Sequence, residues 1–246
     1  MELTGKVALI TGGRRMGAVV ATTLARAGTD VAMVYNGSET EADDTAASVA
    51  GLGRAAIVIR ADVSSEQDCV RAVETTVAQL GRIDILINMA SLYESKPFEQ
   101  LSAADWDRQM SVDLRATFLI SRASAIVMKR VGGGRIINFS DWVAASGRPR
   151  YPGFLPYYVA KAGVKALTEA LALELAGDQI LVNAIAPGPI LAPMGMSAKE
   201  SASVVQNTPL GRWGGEAEIA KAVMFLAQSD FVTGETIRVD GGRHVR

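Results

Sequence analysis

Two side chains in this sequence have the types and the spacing for proton chemistry: Tyr157 and Lys161, in Tyr157-Tyr158-Val159-Ala160-Lys161. The stretch reads helical, with Val164, Leu167, Leu171 and Leu175 as its expected buried stripe. Residues four apart on a helix share one face, so the ammonium can reach the phenol. A phenol titrates near pH ~10 and is a poor acid or base at neutrality. A cation beside it favours phenolate and brings it towards working range. Spacing alone is matched better by an interfacial tyrosine beside a surface lysine, so the chemical reading depends on what else the chain carries. Tyr158 has no lysine four residues on, because position 162 is Ala, and it is expected in packing or at a subunit surface.

A second group of residues could hold a phosphate. Thr11-Gly12-Gly13-Arg14-Arg15-Met16-Gly17 follows the apolar run Val7-Ala8-Leu9-Ile10 and opens a helix near Arg15. Glycines suit that place because a pyrophosphate must approach the backbone and meet the helix N-terminus. Glycine turns are also common punctuation, and the loop alone is a weak signal. The next strand ends Val34-Tyr35-Asn36, without the Asp or Glu expected to hold a free ribose 2′-hydroxyl. Arg14 and Arg15 are guanidinium groups suited to a 2′-phosphate, although an arginine pair is also ordinary solvated surface. Together these features favour NADPH/NADP+ over NAD.

The elements that must position these groups alternate along the chain. Short apolar runs read as strands at Val7–Ile10, Asp30–Tyr35, Ala55–Arg60, Ile83–Asn88, Arg135–Phe139, Ile180–Ile185 and Thr236–Val239. The first has no polar alternation and reads as buried on both faces. Between them lie helical stretches: one closed by Gly28, one from Ser38 to Ala50 ended by Gly51, and one opened at Ser64 or Ser65. Glu66 to Asp68 fall in the first turn of that last helix, where carboxylates suit the dipole. Gly132-Gly133-Gly134 reads as a helix stop and a tight turn into the fifth strand. Strand–helix alternation of this kind gives right-handed βαβ units. The expected fold is α/β: a Rossmann-type, doubly wound, seven-stranded parallel sheet with helices on both faces. No repeat, low-complexity tract or linker divides residues 1–246, which read as one domain.

Composition narrows the function classes. The 246 residues are 49% hydrophobic and 21% charged with formal net charge −1, so no global field attracts nucleic acid or an anionic membrane. No basic stripe or aromatic-interleaved patch suggests nucleic-acid binding. Cys69 stands alone, which forbids an intrachain disulfide and fits a reducing compartment. The only histidine, His244, lies near the C-terminus, so histidine catalysis and a histidine-rich metal site are not expected. The N-terminal stretch has no signal-peptide core, and no apolar run nears the ~20 residues needed to span a bilayer. The expectation is a soluble cytoplasmic protein without a metal, a membrane or a nucleic-acid partner, acting on a small-molecule substrate.

Taken in order, these pieces resemble the classical short-chain dehydrogenases/reductases essentially end to end. The matching motifs are Thr11–Gly17, Asp62-Val63, Asn88-Met89-Ala90-Ser91, Tyr157-x-x-x-Lys161, Asn183-Ala184-Ile185-Ala186-Pro187-Gly188 and Val239-Asp240-Gly241-Gly242. The resemblance implies roles position by position. Gly12, Arg14, Arg15, Met16 and Gly17 would surround the phosphates, and Tyr35 and Asn36 the adenosine ribose. Asp62 would meet the adenine amino group and Val63 flank the ring, while Asn88 and Ala90 line the central stretch. Pro187, Gly188 and Ile190 would lie by the nicotinamide, near Tyr157 and Lys161. A substrate lid would follow within residues 191–207. The resemblance also implies a homotetramer built through Ala104–Lys129, Tyr157–Ala176 and the C-terminal segment.

The chain departs from that family at several places. Aligning Gly134-Arg135-Ile136-Ile137 puts Asp141 where the family has its helper serine, with Ser140 one residue early. The loop Ser146–Gly153 absorbs the longer gap to Tyr157. Asp113 replaces the customary asparagine of the helix after strand four. Aspartate at the serine's place, Arg15 before the loop's last glycine, and an aromatic two residues beyond Ser91 are similar to the pteridine reductases, in which that aromatic stacks on the pterin. Tyr93 would then take the stacking role, and a Tyr157–Asp141 pair would deliver a proton to an imine and bind amino groups. Asp141 as a turn cap, Tyr93 as loop packing and Asp113 as a buried hydrogen-bonding residue are the structural alternatives. The substrate is either such a C=N bond or a carbonyl, as in the β-ketoacyl-carrier-protein reductases that the chain also resembles. A nucleotide-binding sensor without turnover is a further alternative, suggested by the changes at positions 113 and 141.

Overall fold

The apolar runs do become strands of one parallel sheet. The structure, a computed structural model, describes residues 1–246 apart from Gly13, Arg148, Met194 and Arg246. These four fall in the glycine loop, the Ser146–Gly153 loop, the expected lid and the C-terminus; what the sequence suggests for them lies outside the described residues. In chain order the strands are β1 (Val7–Thr11), β2 (Asp30–Tyr35), β3 (Ala56–Arg60), β4 (Ile85–Asn88), β5 (Gly134–Phe139), β6 (Ile180–Pro187) and β7 (Thr236–Val239). The helices are α1 (Arg14–Arg26), α2 (Glu39–Gly51), α3 (Glu66–Leu80), α4 (Ala103–Gln109), α5 (Ala116–Arg130), α6 (Trp142–Ala145), α7 (Leu155–Leu175), α8 (Ala198–Gln206) and α9 (Glu216–Gln228). The order β3-β2-β1-β4-β5-β6-β7 reverses between β1 and β4. A crevice therefore opens at the carboxyl ends of those two strands, where α/β sheets bind ligands.

Alternation along the strands feeds two cores. Ala8, Ile10, Ile85 and Ile87 face α1 and α9, meeting Val20, Leu24, Ile219 and Val223. Leu9, Leu86, Ile136 and Val182 face α3 and α5, meeting Val73, Ile120 and Met128. With both faces covered, strands that read as continuous apolar runs are what the packing demands.

Several boundaries differ from expectation. Gly51 stays inside α2, and the left-handed turn that ends the helix falls two residues later, at Gly53 with φ +75°. On α7 the fully buried line is Lys161, Val164, Thr168 and Ala172, whereas Leu167, Leu171 and Leu175 are only half-buried. A smaller, partly polar stripe thus faces the sheet. The segment expected as one helix over Ala104–Lys129 is a rod of α4, a π-helical turn over Met110–Arg115, and α5. The extra backbone residue of a π turn re-aims one side chain, and the one buried here is Asp113. The expected lid contains α8, whose N-cap Ser197 and Glu200 form a reciprocal capping box. Trp213 pins it by donating its indole N–H to Ser201 Oγ at 3.0 Å.

Candidate active site

Tyr157, Lys161, Asp141 and Asp113 converge at the ends of β4 and β5. β5 leaves the sheet at Phe139, and the next residues serve different sides. Ser140 is buried and donates its hydroxyl to the carbonyl of Lys161 at 2.9 Å, tying β5 to α7. Asp141 caps α6: its Oδ1 accepts the Val143 N–H at 2.8 Å. Its Oδ2 accepts the Tyr157 hydroxyl at 3.0 Å. The cap and the chemical partner are one side chain. Burial raises the Asp141 pKa above the ordinary carboxylate value, against the Val143 and Tyr157 hydrogen bonds and the Lys161 charge, which lower it.

Lys161 makes its polar contacts with groups other than the Tyr157 hydroxyl. Its Nζ donates to the Phe139 carbonyl at 2.9 Å and lies 3.1 Å from Asp113 Oδ1, while standing 5.7 Å from the Tyr157 ring centre. The cation is thus neutralised by a carboxylate that is itself fully buried. The Tyr157 phenol is held well above its ordinary pKa, first by burial and then by the negative charges of Asp141 and Asp113. In this structure desolvation and two carboxylates work against the phenolate that the spacing with Lys161 suggests.

An aromatic cleft opens beside this pair. Tyr93, 59% exposed, stacks on Phe154 with centroids 4.7 Å apart and meets Tyr157 edge-on at 5.0 Å. Lys96 N–H donates to the Gly153 carbonyl at 2.9 Å, joining the loop that carries Tyr93 to the loop that carries Phe154. Tyr158, half-buried, lines the same cleft. Trp142, with the Arg150 and Arg243 guanidinium groups 5.6 and 5.5 Å from its ring centre, forms the outer wall. No motif marks Phe154 or Trp142; only folding brings the 146–154 loop to Tyr93.

At the crevice between β1 and β4, Gly12 has φ +64°, and a Cβ there would lie 2.7 Å from the Ala90 Cα. A Cβ on Gly17 would lie 2.9 Å from the Gly12 carbonyl oxygen. Only glycine lets the loop lie this close. Arg14 Nε donates to Ser38 Oγ at 2.7 Å, while Arg15 is exposed and Met16 half-buried. Tyr35 donates its hydroxyl to Glu39 at 2.8 Å, and Asn36 is exposed. Val63, Asn88 and Ala90 line a narrow crevice with Val112 and Thr117. Asp62 sits at its edge of the sheet with Oδ1 taken by the Ser64 N–H and hydroxyl. Asn88 is buried and ties Ser121 and Asn138 through its Nδ2, so it holds the strand ends together besides facing the cavity. Pro187 ends β6 against Val239, and Gly188 packs so tightly that a Cβ would lie 2.5 Å from that of Asp240. Ile190 is buried just beyond.

Comparison with known proteins places this arrangement. A family model described as Enoyl-(Acyl carrier protein) reductase matches residues 12–244. The chain is 34% identical to the 3-oxoacyl-[acyl-carrier-protein] reductase FabG of Staphylococcus aureus, with all of both chains covered. A putative short-chain alcohol dehydrogenase from Sinorhizobium meliloti superposes with TM-score 0.93 at 31% identity, covering 99% of this chain and 98% of the other. A blue fluorescent protein from a metagenomic library, solved in complex with NADPH, gives TM-score 0.90 at 32% identity and covers 99% of each chain.

Proposed function

The chain belongs to the classical short-chain dehydrogenases/reductases, a family of oxidoreductases, and we propose that it uses NADPH to reduce a C=N bond in a pterin-like heterocycle. The carrying observation is Asp141, whose free-facing oxygen accepts the Tyr157 hydroxyl. An ionised carboxylate has no proton to give a ketone oxygen and opposes the alkoxide that forms there. Beside a ring bearing N–H and amino groups it is an acceptor of matching polarity. Tyr93, Phe154 and Tyr157 supply aromatic surface for such a planar ring.

The residues fit a dinucleotide. Gly12 and Gly17 leave no side chain at the loop, and the first turn of α1 carries no acid, unlike those of α2, α3 and α9. That leaves a helix N-terminus with uncompensated positive character, suited to a pyrophosphate. Asn88 Oδ1, buried and without a partner among the described residues, offers one more acceptor towards the crevice. Gly12 to Gly17 would hold the phosphates, Arg15 the 2′-phosphate, and Pro187, Gly188 and Ile190 the nicotinamide end. The bound cofactor supplies the hydride. Tyr157 would turn its hydroxyl from Asp141 Oδ2 to give the phenolic proton to the substrate nitrogen, Asp141 would accept substrate N–H groups, and Lys161 holds the end of β5 through Phe139.

A ketone or acyl thioester is the second reading. The S. aureus relative is a 3-oxoacyl-[acyl-carrier-protein] reductase, and the Tyr157 hydroxyl would serve a carbonyl oxygen as well as a nitrogen. NADPH oxidation against dihydropterins, acetoacetyl thioesters and simple ketones, with wild type and Asp141→Ser, separates the two. Pterin turnover that falls while ketone turnover rises supports the first; activities that move together reject it, and no turnover on any substrate points to a nucleotide sensor. Self-association belongs to the same reading: Phe118 and Ile126 on α5 and Leu155, Val159 and Leu173 on α7 are exposed apolar surface, and a homotetramer would cover them.

A further inference from the structure

Asp113 stands where the family resemblance expects an asparagine, and its surroundings explain why a carboxylate is there. Four donors from three separate segments converge on it. Leu92 N–H, in the loop after β4, donates to Oδ2 at 3.0 Å, and Gln109 Nε2, at the end of α4, donates to the same oxygen at 2.7 Å. Ser91 hydroxyl donates to Oδ1, and Lys161 Nζ on α7 lies 3.1 Å from that oxygen. Gln109 also donates to the Leu92 carbonyl at 3.0 Å, so the loop is held from both sides. An amide offers one acceptor and two donors; on this site its NH2 would face two of the four donors. Only a carboxylate satisfies all four.

We propose that Asp113 is a positioning residue of the active site, which fixes the Ser91–Leu92 turn that carries Tyr93 and at the same time neutralises Lys161. The ring-stacking wall and the proton-donating helix are thereby set against each other by one buried group. The π turn over Met110–Arg115 aims it there. The ionisable groups around the Tyr157 phenol are Asp141 at the cap of α6, Tyr93 in the loop after β4, Lys161 on its own helix and Asp113 on the π turn. Removing the Asp113 charge takes away one repulsion of phenolate and unmasks the ammonium, and both changes favour phenolate.

This assignment rests on Tyr157 as the proton donor. Its test uses Asp113→Asn and Ser91→Ala in the full-length protein. In Asp113→Asn the alkaline limb of kcat against pH moves down by about one unit or more. In Ser91→Ala the charge remains, so the limb stays in place while the substrate KM rises at least about threefold, the loss of one hydrogen bond to the loop. A limb that does not move in the first variant, or a KM unchanged in the second, overturns the proposal; if Asp113→Asn does not fold, the Ser91→Ala result decides. Phenolate absorbance of Asp113→Asn minus that of the same variant carrying Tyr157→Phe reads the ionisation without turnover. A failure to find any reduced substrate would fell the functional reading, and the absorbance difference would then decide this one: phenolate that appears at no lower pH in Asp113→Asn than in wild type overturns it.

Discussion

Replacing Asp141 by asparagine removes one charge and little else. Asparagine is an equally good N-cap, so its carbonyl can keep the Val143 N–H and accept the Tyr157 hydroxyl. What is lost is the repulsion between a carboxylate and a phenolate whose oxygens stand 3.0 Å apart. At that distance two unit charges repel by about 5.5 kcal/mol at an effective dielectric of ~20 and by about 1.4 kcal/mol in bulk water. These bounds correspond to about four and about one pH units. The cleft is open on one side, so the shift falls between them, and the Tyr157 pKa drops. The assay is kcat for NADPH oxidation against pH at saturating substrate, where the alkaline limb moves down by at least about one unit in Asp141→Asn. A limb in the same place would refute the claim that this carboxylate holds the Tyr157 proton on. The same variant has a signature in stability. Burial raises the Asp141 pKa, so the native state is disfavoured once the carboxyl ionises, and that loss sets in as pH rises through the unfolded value near ~3.9. Asp141→Asn therefore raises Tm at neutral pH, and the gain disappears below about pH 4; a gain that persists in acid would assign it to something other than the charge.

Two further substitutions probe the nucleotide end. Gly12→Ala places a side chain at φ +64° and 2.7 Å from the Ala90 Cα; left-handed backbone and overpacking together cost roughly 2–5 kcal/mol. A lowered Tm with NADPH binding lost, read by nicotinamide fluorescence, is expected, and unchanged binding would remove the loop from the cofactor site. Arg15→Ala deletes an exposed guanidinium whose proposed bond to a 2′-phosphate would be worth about 1.5–3 kcal/mol. The NADPH Kd should weaken by roughly ten- to a hundredfold while NADH is unaffected; equal loss of both would end the argument for 2′-phosphate recognition.

Much of the frame is legible because burial on both sheet faces writes it as apolar runs. The start of β2, the left-handed turn at Gly28 and the N-cap at Ser65 follow from local chemistry that needs no distant partner. Gly51 and Gly53 show the limit of that logic: either glycine could end α2, and the position of the last packed residue, Val49, decides. The Tyr157–Lys161 spacing correctly places both on α7, yet the electrostatics come out reversed. The sign comes first from burial, then from Asp141 and from Asp113, which lies 48 positions before Lys161 and pairs with it from the π turn. Phe154 and Trp142 are likewise invisible beforehand, since their role is a contact with Tyr93 or with the C-terminal Arg243 and not a local pattern. The separation of Ser140 from Asp141 rests on strand alternation: successive residues point to opposite sides, and the one that turns inward meets the Lys161 carbonyl.

The central claim is that the Tyr157 phenol delivers the proton in a hydride-transfer reaction. Tyr157→Phe keeps the ring that meets Tyr93 at 5.0 Å and removes only the hydroxyl that Asp141 holds. Measured side by side with wild type on whichever substrate is turned over, kcat should fall about a hundredfold or more, while the NADPH Kd stays within about twofold, well under the ~1.4 kcal/mol of a tenfold change. Retained turnover in that variant would contradict the account.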